Sequence, residues 1–482
     1  MREGQTLLIG GTWRGSSSGA EFTSTDPADG STVLQCALAT AADVDGAVES
    51  ARAAFESPDW RQMAPALRAR LLWRLADLVE ANLDELAVLE TRDQGQPVGM
   101  VRAVGVPLAA EQLRYYAGWC TKLNGSTHTP SVPGAFNYTR REPIGVCVLF
   151  PTWNFPLMSA AGKLGPALAA GNTVIIKPAD YTPATAIRLC ELAAEAGFPD
   201  GVINCLTGDA DTSRALVEHL GVESISFTGS TVIGRDIAQR AAPSFKRLTL
   251  ELGGKAPSIV TAEADIDAAV LGNLQAAFLN SGQVCAAYTR LYVHASREDE
   301  FTTKFSKAAS SMRLGPGLEE STQLGPLVSE RQLERVAKYV AAGISEGAGL
   351  VVGGSRADGA LATGSFYTPT VFSGVTDGMT IAREEIFGPV AAVLTYHELD
   401  EVVARANDSE YGLDAAVWTA DLSVAHRIAE QLDVGTVYLN MLPALDAAVP
   451  WGGFKASGIG KEMGVSGIGD LTREKSVWVN LA

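Results

Sequence analysis

The chain has 482 residues, enough for about three domain-sized units at roughly 150 residues each. A hydrophobic content of 46% supports sizeable cores and excludes a disordered or fibrous chain. The 38 Lys and Arg against 55 Asp and Glu leave a net charge of −17, which disfavours nucleic acid or an anionic membrane surface as the main partner. Cysteines at 36, 120, 147, 190, 205 and 285 form no CxxC and no paired spacing, so neither a metal site nor a disulfide framework is expected. The opening MREGQTLLIGG holds too short an apolar run for a signal peptide, and no stretch reaches the roughly 18 apolar residues of a membrane helix. A soluble, reduced, cytoplasmic protein is the expectation.

After a Gly/Ser-rich start, Val44, Val48, Ala51 and Phe55 share one face of a helix over 41–57. Leu71, Leu75, Leu78, Leu86 and Leu89 predict a second, longer helix from about Leu67 to Arg92. From 145 onward short apolar runs (145–150, 173–177, 201–206, 224–227, 248–252) alternate with helices near 184–196, 213–220 and 233–241. Strands apolar on both faces, alternating with helices, predict a largely parallel sheet covered on both sides. A second such set follows, with helices at 266–280, 298–312 and 330–346 and strands at 290–294, 391–396, 415–419 and 436–440. Two polar strand-like pieces, roughly 124–142 and the C-terminal KSVWVN, fit neither sheet, which leaves pairing with each other or with another subunit.

Several segments carry residues suited to chemistry. SISFTGSTVIG reads strand, turn, helix, and such a turn aims backbone N–H groups at an anion. Gly229 and Gly234 allow close approach there and Ser230 adds a hydroxyl; a simple tight connection explains the segment too, since it is not GxGxxG. Lys177 and Asp180 in KPAD follow a strand, where α/β sheets bind nucleotides, or else form a surface ion pair. Cys285 lies on a helix-to-strand connection after the helix breakers Gly282 and Gln283; a nucleophile there needs access and a lowered pKa, while most cysteines only pack. Glu251 ends an apolar strand before two glycines, as a desolvated general base or a partnered structural carboxylate. Asn154, held between Pro151 and Pro156, is an oxyanion donor or a cap for the helix that follows. In EEIFGPV, Glu385 suits sugar hydroxyls and Phe387 a heterocycle, or a plain hydrophobic turn.

In this order PTWNFPL, KPAD, FTGSTVIG, LELGGKAP, the GQVC cysteine, EEIFGPV and PWGGFKASGIGKEMG resemble the aldehyde dehydrogenase superfamily over nearly the whole chain. The resemblance implies an α/β fold: a Rossmann-like NAD-binding domain (1–123 and 144–253), an α/β catalytic domain (254–455), and a small β oligomerisation element with the C-terminal tail (124–143 and 456–482). It further implies a homodimer or homotetramer. By the same resemblance Cys285 attacks an aldehyde to give a thiohemiacetal, and Asn154 with the Cys285 N–H holds the oxyanion. Hydride loss leaves a thioester, and Glu251 activates the water that hydrolyses it; Lys163 and Glu462 match proton-relay positions. Lys177 and Asp180 match the adenosine ribose, Ser230 the pyrophosphate, and Glu385 with Phe387 and Trp153 the nicotinamide end. Many members carry Glu at the Asp180 position; either carboxylate repels a 2′-phosphate, which favours NAD with NADP as the alternative.

Relatives that acylate CoA generally lack the Glu251 base, so its presence favours a carboxylic acid product over a CoA-acylating semialdehyde dehydrogenase. The implied pocket walls are Leu108, Phe155, Met158, Gly162, Leu445 and Trp451. Gly162 replaces a large ring found in many relatives, so a wider channel and a bulky apolar or aromatic aldehyde are expected. A small-chain or betaine-type aldehyde is the alternative, the latter through an aromatic cage of Trp451 and Phe155. A non-catalytic NAD-binding protein would be expected to lack the nucleophile, base or amide, and all three are present.

Overall fold

The computed structural model describes residues 4–482. The first sheet has eight strands, in the order Thr12–Arg14, Leu7–Ile9, Ile203–Cys205, Thr173–Ile176, Val146–Phe150, Ser224–Thr228, Arg247–Glu251 and Gly458–Ile459. The five inner strands are parallel, and the antiparallel edges come from the two ends of the chain. These inner strands are largely buried because helices cover both faces. On one face, helices Pro65–Ala81, Val106–Ala117, Pro156–Ala170 and Ala184–Ala196 enclose the largest core; Ala41–Glu56 packs on the other.

The second sheet has seven strands, in the order Gly349–Val352, Thr370–Ser373, Val390–Tyr396, Arg290–His294, Pro257–Val260, Asp414–Trp418 and Thr436–Leu439. All are parallel except the first. Pro257–Val260 lies in the middle of this sheet, yet its four residues are too short an apolar run to be read as a strand from sequence. The two polar pieces pair with each other. Ala135–Pro143 and Thr472–Asn480 form an antiparallel ribbon, with Thr127–His128 on its edge.

Local chemistry explains most boundaries. Ala41–Glu56 starts on a capping box made by Thr40 and Asp43. The single helix expected over 67–92 is instead two, Pro65–Ala81 and Leu83–Gln94. At Asn82 the side-chain amide donates to the Leu78 carbonyl at 2.7 Å and competes with the regular ladder, so the axis turns there. Helix Val106–Ala117 carries no expectation from sequence and proves central to the site. No helix among the described residues is long and apolar enough to cross a membrane.

Candidate active site

The parallel strands of the first sheet end on a cleft of about 1190 Å³, to which the second sheet contributes the opposite wall. Glu251 closes strand Arg247–Glu251, Asn154 follows strand Val146–Phe150, and Cys285 lies between helix Ile266–Phe278 and strand Arg290–His294. All three line this one cleft. So do Glu462, Trp153, Gly229, Ser230, Glu385 and Phe387, and all six expected pocket walls: Leu108, Phe155, Met158, Gly162, Leu445 and Trp451.

The chain reaches Cys285 through an unusual turn. The helix ends at Phe278, earlier than the 280 expected, and Asn280, Ser281 and Gly282 then adopt left-handed φ of 48°, 56° and 73° in succession. Gly282 is required here, because a Cβ would run into the carbonyl oxygen of Gly388. Two non-glycine residues held left-handed beside a cleft mark backbone that the surroundings over-determine. Cys285 is half-buried, whereas the other five cysteines are buried. Its thiol does not have the lowered pKa expected of a free nucleophile. Burial, with the carboxyls of Asp414, Glu385 and Glu251 nearby, holds it above its ordinary range. The resting sulfur is therefore a thiol and must lose its proton as it attacks.

Glu251 is matched to that need. It is 3% exposed, and neither carboxylate oxygen has a hydrogen-bond partner. Burial, aided by Glu462, raises its pKa well above the ordinary value, while Lys163 and Lys461 pull it back. Gly452 makes room for it: a Cβ there would stand 2.5 Å from Oε1. Lys163 lies outside the cleft, behind Glu462. Its ammonium forms an ion pair with the Glu462 carboxylate and donates to the hydroxyls of Ser226 at 2.9 Å and Thr228 at 2.8 Å.

Asn154 is not a helix cap. The helix begins at Pro156 without a side-chain cap, and its Leu157 N–H goes to the Glu90 carboxylate at 3.0 Å. The Asn154 amide donates one N–H to the Gln283 carbonyl at 2.8 Å, which leaves the second for a ligand. Its backbone carbonyl accepts from both Gln96 and Asn280. These two buried amides hold Asn154 in place, and neither stands out in the sequence, because each acts through contacts more than 50 residues away.

Elsewhere in the cleft, Ser230 caps helix Thr231–Ala241 by accepting from the Ile233 N–H at 3.4 Å. The Gly229 N–H is not free for an anion, since it donates to the Glu251 carbonyl at 3.0 Å. The N–H groups of Thr231 and Val232 have no acceptor among the described residues, so the helix start still suits a phosphate. Gly234 permits close packing, as a Cβ would lie 2.5 Å from Leu252. Trp153 and Phe387 meet edge to face at 5.1 Å, with Phe387 held at φ 59°. Glu385 accepts from the Gly254 N–H at 3.0 Å, and burial pushes its pKa up to about 7. Lys177 and Asp180 lie outside the cleft; Lys177 is buried, and desolvation lowers its pKa against the pull of Asp180 and Asp209. This set of two aromatic rings, a helix N-terminus and a carboxylate fits a dinucleotide.

The channel argument from Gly162 needs correction. The space beside its Cα is not open, because a Cβ would lie 2.9 Å from Oε1 and 3.2 Å from Cδ of Gln112, on helix Val106–Ala117. Gln112, Met463, Val284 and Leu279 also line the cleft and were not legible from sequence.

Two largely parallel sheets, with a thiol, an unpartnered carboxyl and a held amide in the cleft between them beside groups that fit a dinucleotide, are those of a dinucleotide-binding enzyme with a cysteine at its centre. The profile of the Aldehyde dehydrogenase family matches residues 13–477, and the chain belongs to that family. DhaS of Bacillus subtilis (strain 168), itself assigned to the aldehyde dehydrogenases, is 49% identical over 476 residues, 98% of this chain and 95% of the relative. The phenylacetaldehyde dehydrogenase of Pseudomonas fluorescens is 43% identical over 484 residues, 99% of this chain and 96% of the relative. The solved structure of AldA, the indole-3-acetaldehyde dehydrogenase of P. syringae, as a mutant in complex with NAD+ and IAA, superposes with a TM-score of 0.97 at 40% identity. It covers 100% of this chain and 97% of that one.

Proposed function

We propose that the protein oxidises a bulky apolar or aromatic aldehyde to its carboxylic acid, with NAD as hydride acceptor. The observation that carries this reading is the convergence of Cys285, Glu251 and Asn154 on one cleft with apolar walls. Relatives acting on phenylacetaldehyde and indole-3-acetaldehyde support the aromatic class. The Cys285 sulfur attacks the aldehyde carbon while Glu251 takes the thiol proton, giving a thiohemiacetal. Its oxyanion accepts from the spare N–H of Asn154 and the backbone N–H of Cys285. NAD, when bound, supplies the hydride acceptor that leaves a thioester on Cys285. Glu251, having passed its proton to Glu462, then deprotonates the water that hydrolyses the thioester. Lys163, paired with Glu462, holds that carboxylate ready.

For the cofactor, the start of helix Thr231–Ala241 with Ser230 would hold the pyrophosphate and Glu385 a ribose, with Trp153 and Phe387 flanking the ring. Lys177 and Asp180 would reach the other ribose, and the Asp180 carboxylate disfavours a 2′-phosphate. In this reading the first sheet is the core of a cofactor domain and the second that of a catalytic domain, a division that the two separate sheets support. The ribbon of Ala135–Pro143 and Thr472–Asn480 exposes Phe136, Trp478 and Val479, which suits an interface in a homodimer or homotetramer. Six unpaired cysteines suit a reducing cytoplasm.

The test is NADH formation by purified protein across aliphatic, aromatic, cationic and acidic aldehydes, with and without CoA, with NADP as the alternative acceptor. CoA-independent turnover fastest on aromatic aldehydes is expected. Strict CoA dependence would overturn the hydrolytic reading.

A further inference from the structure

Asp414 opens strand Asp414–Trp418, whose other residues, Ala-Ala-Val-Trp, are apolar and buried. It is 1% exposed, does not line the cleft, and neither carboxyl oxygen has a hydrogen-bond partner. A buried carboxyl without donors is costly to ionise, and such groups are rare in the absence of a use for them. The mechanism above gives it none.

Strand alternation fixes where it points. Asp414, Ala416 and Trp418 share one face, and Ala415 and Val417 the other. Ala416 and Trp418 belong to the apolar cluster that also holds Ala256, Tyr288 and Tyr438, and Cys285 packs against this cluster. Asp414 therefore approaches the nucleophile from within the core and not from the cleft. The titratable groups it faces there are Cys285, Tyr288 and Tyr438. Both tyrosine hydroxyls are committed, donating to the carbonyls of Met441 at 3.2 Å and Ala444 at 2.8 Å. No cation offsets the desolvation of Asp414, which raises its pKa well above the ordinary value. Among the charged neighbours that hold the Cys285 thiol up, Asp414 acts most strongly, ahead of Glu385 and Glu251. Two anions in one apolar pocket disfavour each other, so once Asp414 has lost its proton, Cys285 loses its own less readily.

We propose that Asp414 is a positioning residue that acts through Cys285: at alkaline pH its buried carboxylate restrains the resting sulfur from ionising, so that proton loss is left to Glu251 during attack. This deepens the cysteine mechanism above and rests on it. The restraint also shields the sulfur from stray electrophiles, since the thiolate and not the thiol is the form that reacts with them.

The experiment follows alkylation of Cys285 by iodoacetamide, read by peptide mass, from about pH 6 to about pH 10. It compares the wild type with Asp414→Asn and Asp414→Ala. Neither substitution removes a side-chain hydrogen bond, because the Asp414 carboxyl makes none. The other five cysteines are buried and report folding, since they label only if the chain opens. The ratio of variant to wild-type rate should lie near one at the acid end. It should climb at least about tenfold toward the alkaline end, where the wild type alone acquires the opposing charge. A ratio that is constant across pH overturns the proposal whatever its size, because altered access to the sulfur changes every rate alike. Labelling of the buried cysteines in both variants would make Asp414 a residue of the fold and overturn it as well. The labelling needs neither aldehyde nor NAD, so its failure is distinct from that of the mechanism: full NADH formation by Cys285→Ala would sink the nucleophile reading itself.

Discussion

Replacing Glu251 by Gln removes a proton acceptor and little else. The amide has nearly the carboxyl's shape, and neither oxygen of Glu251 engages a donor that would be lost. In the proposed mechanism this carboxyl serves twice: the half-buried Cys285 thiol, its pKa raised by desolvation and neighbouring carboxyls, needs a proton acceptor as it attacks, and the thioester needs an activated water. Loss of a positioned base costs about 10²–10⁴ in rate, or roughly 3–5 kcal/mol at 1.36 kcal/mol per decade. The assay is stopped-flow NADH formation followed by acid quench and intact mass. Steady-state turnover should fall by that factor, and the slowly hydrolysed acyl group should be found on Cys285 in the variant and not in the wild type. Turnover within a few fold of wild type would refute the base assignment. A large loss of turnover with no acyl adduct would confine Glu251 to thiol activation and refute its role toward water.

Two further perturbations test the site. Glu462 raises the Glu251 pKa and pairs with Lys163, so Glu462→Gln removes a negative neighbour and leaves the lysine charge uncompensated. Both changes favour ionised Glu251. The rising limb of the pH profile of kcat/KM should move to lower pH, and a shift to higher pH would contradict the electrostatic account. Gly282→Ala forces a left-handed alanine into a site where its Cβ meets the Gly388 carbonyl. A loss of about 1–3 kcal/mol from the conformation alone is expected by thermal unfolding, with loss of activity as the Cys285 turn shifts. An unchanged melting temperature would show that the turn can relax.

Burial also sets the direction of the pH dependence of stability. Glu90, Asp93 and Glu385 have pKa values pushed up to about 7, chiefly by desolvation. Each favours the folded state below the unfolded carboxyl pKa near 4, and that contribution is lost as pH rises through about 7. These groups oppose the usual gain of paired surface carboxylates over the same range.

What could be read from the sequence was local. The ends of the parallel strands, the Gly-Ser-Thr turn, the lone cysteine on a connection and the strand-terminal Glu251 are each signalled within a dozen residues, because they depend on strand and helix period and on backbone breakers. The pairing of the two polar pieces was one of two readings left open. What only the tertiary structure decided depends on residues far apart in the chain. Lys163 and Glu462 are 299 residues apart, and Asn154 meets Gln283 across 129. The break at Asn82 and the early helix end at Phe278 reflect a side chain competing for a carbonyl and a left-handed turn that passes close against the distant Gly388 carbonyl. Desolvation, which raises rather than lowers the Cys285 pKa, has no sequence signature at all. Gln112 is the clearest case: on an unmarked helix it is one polar residue among many, and only its seat over Gly162 makes it part of the cleft wall.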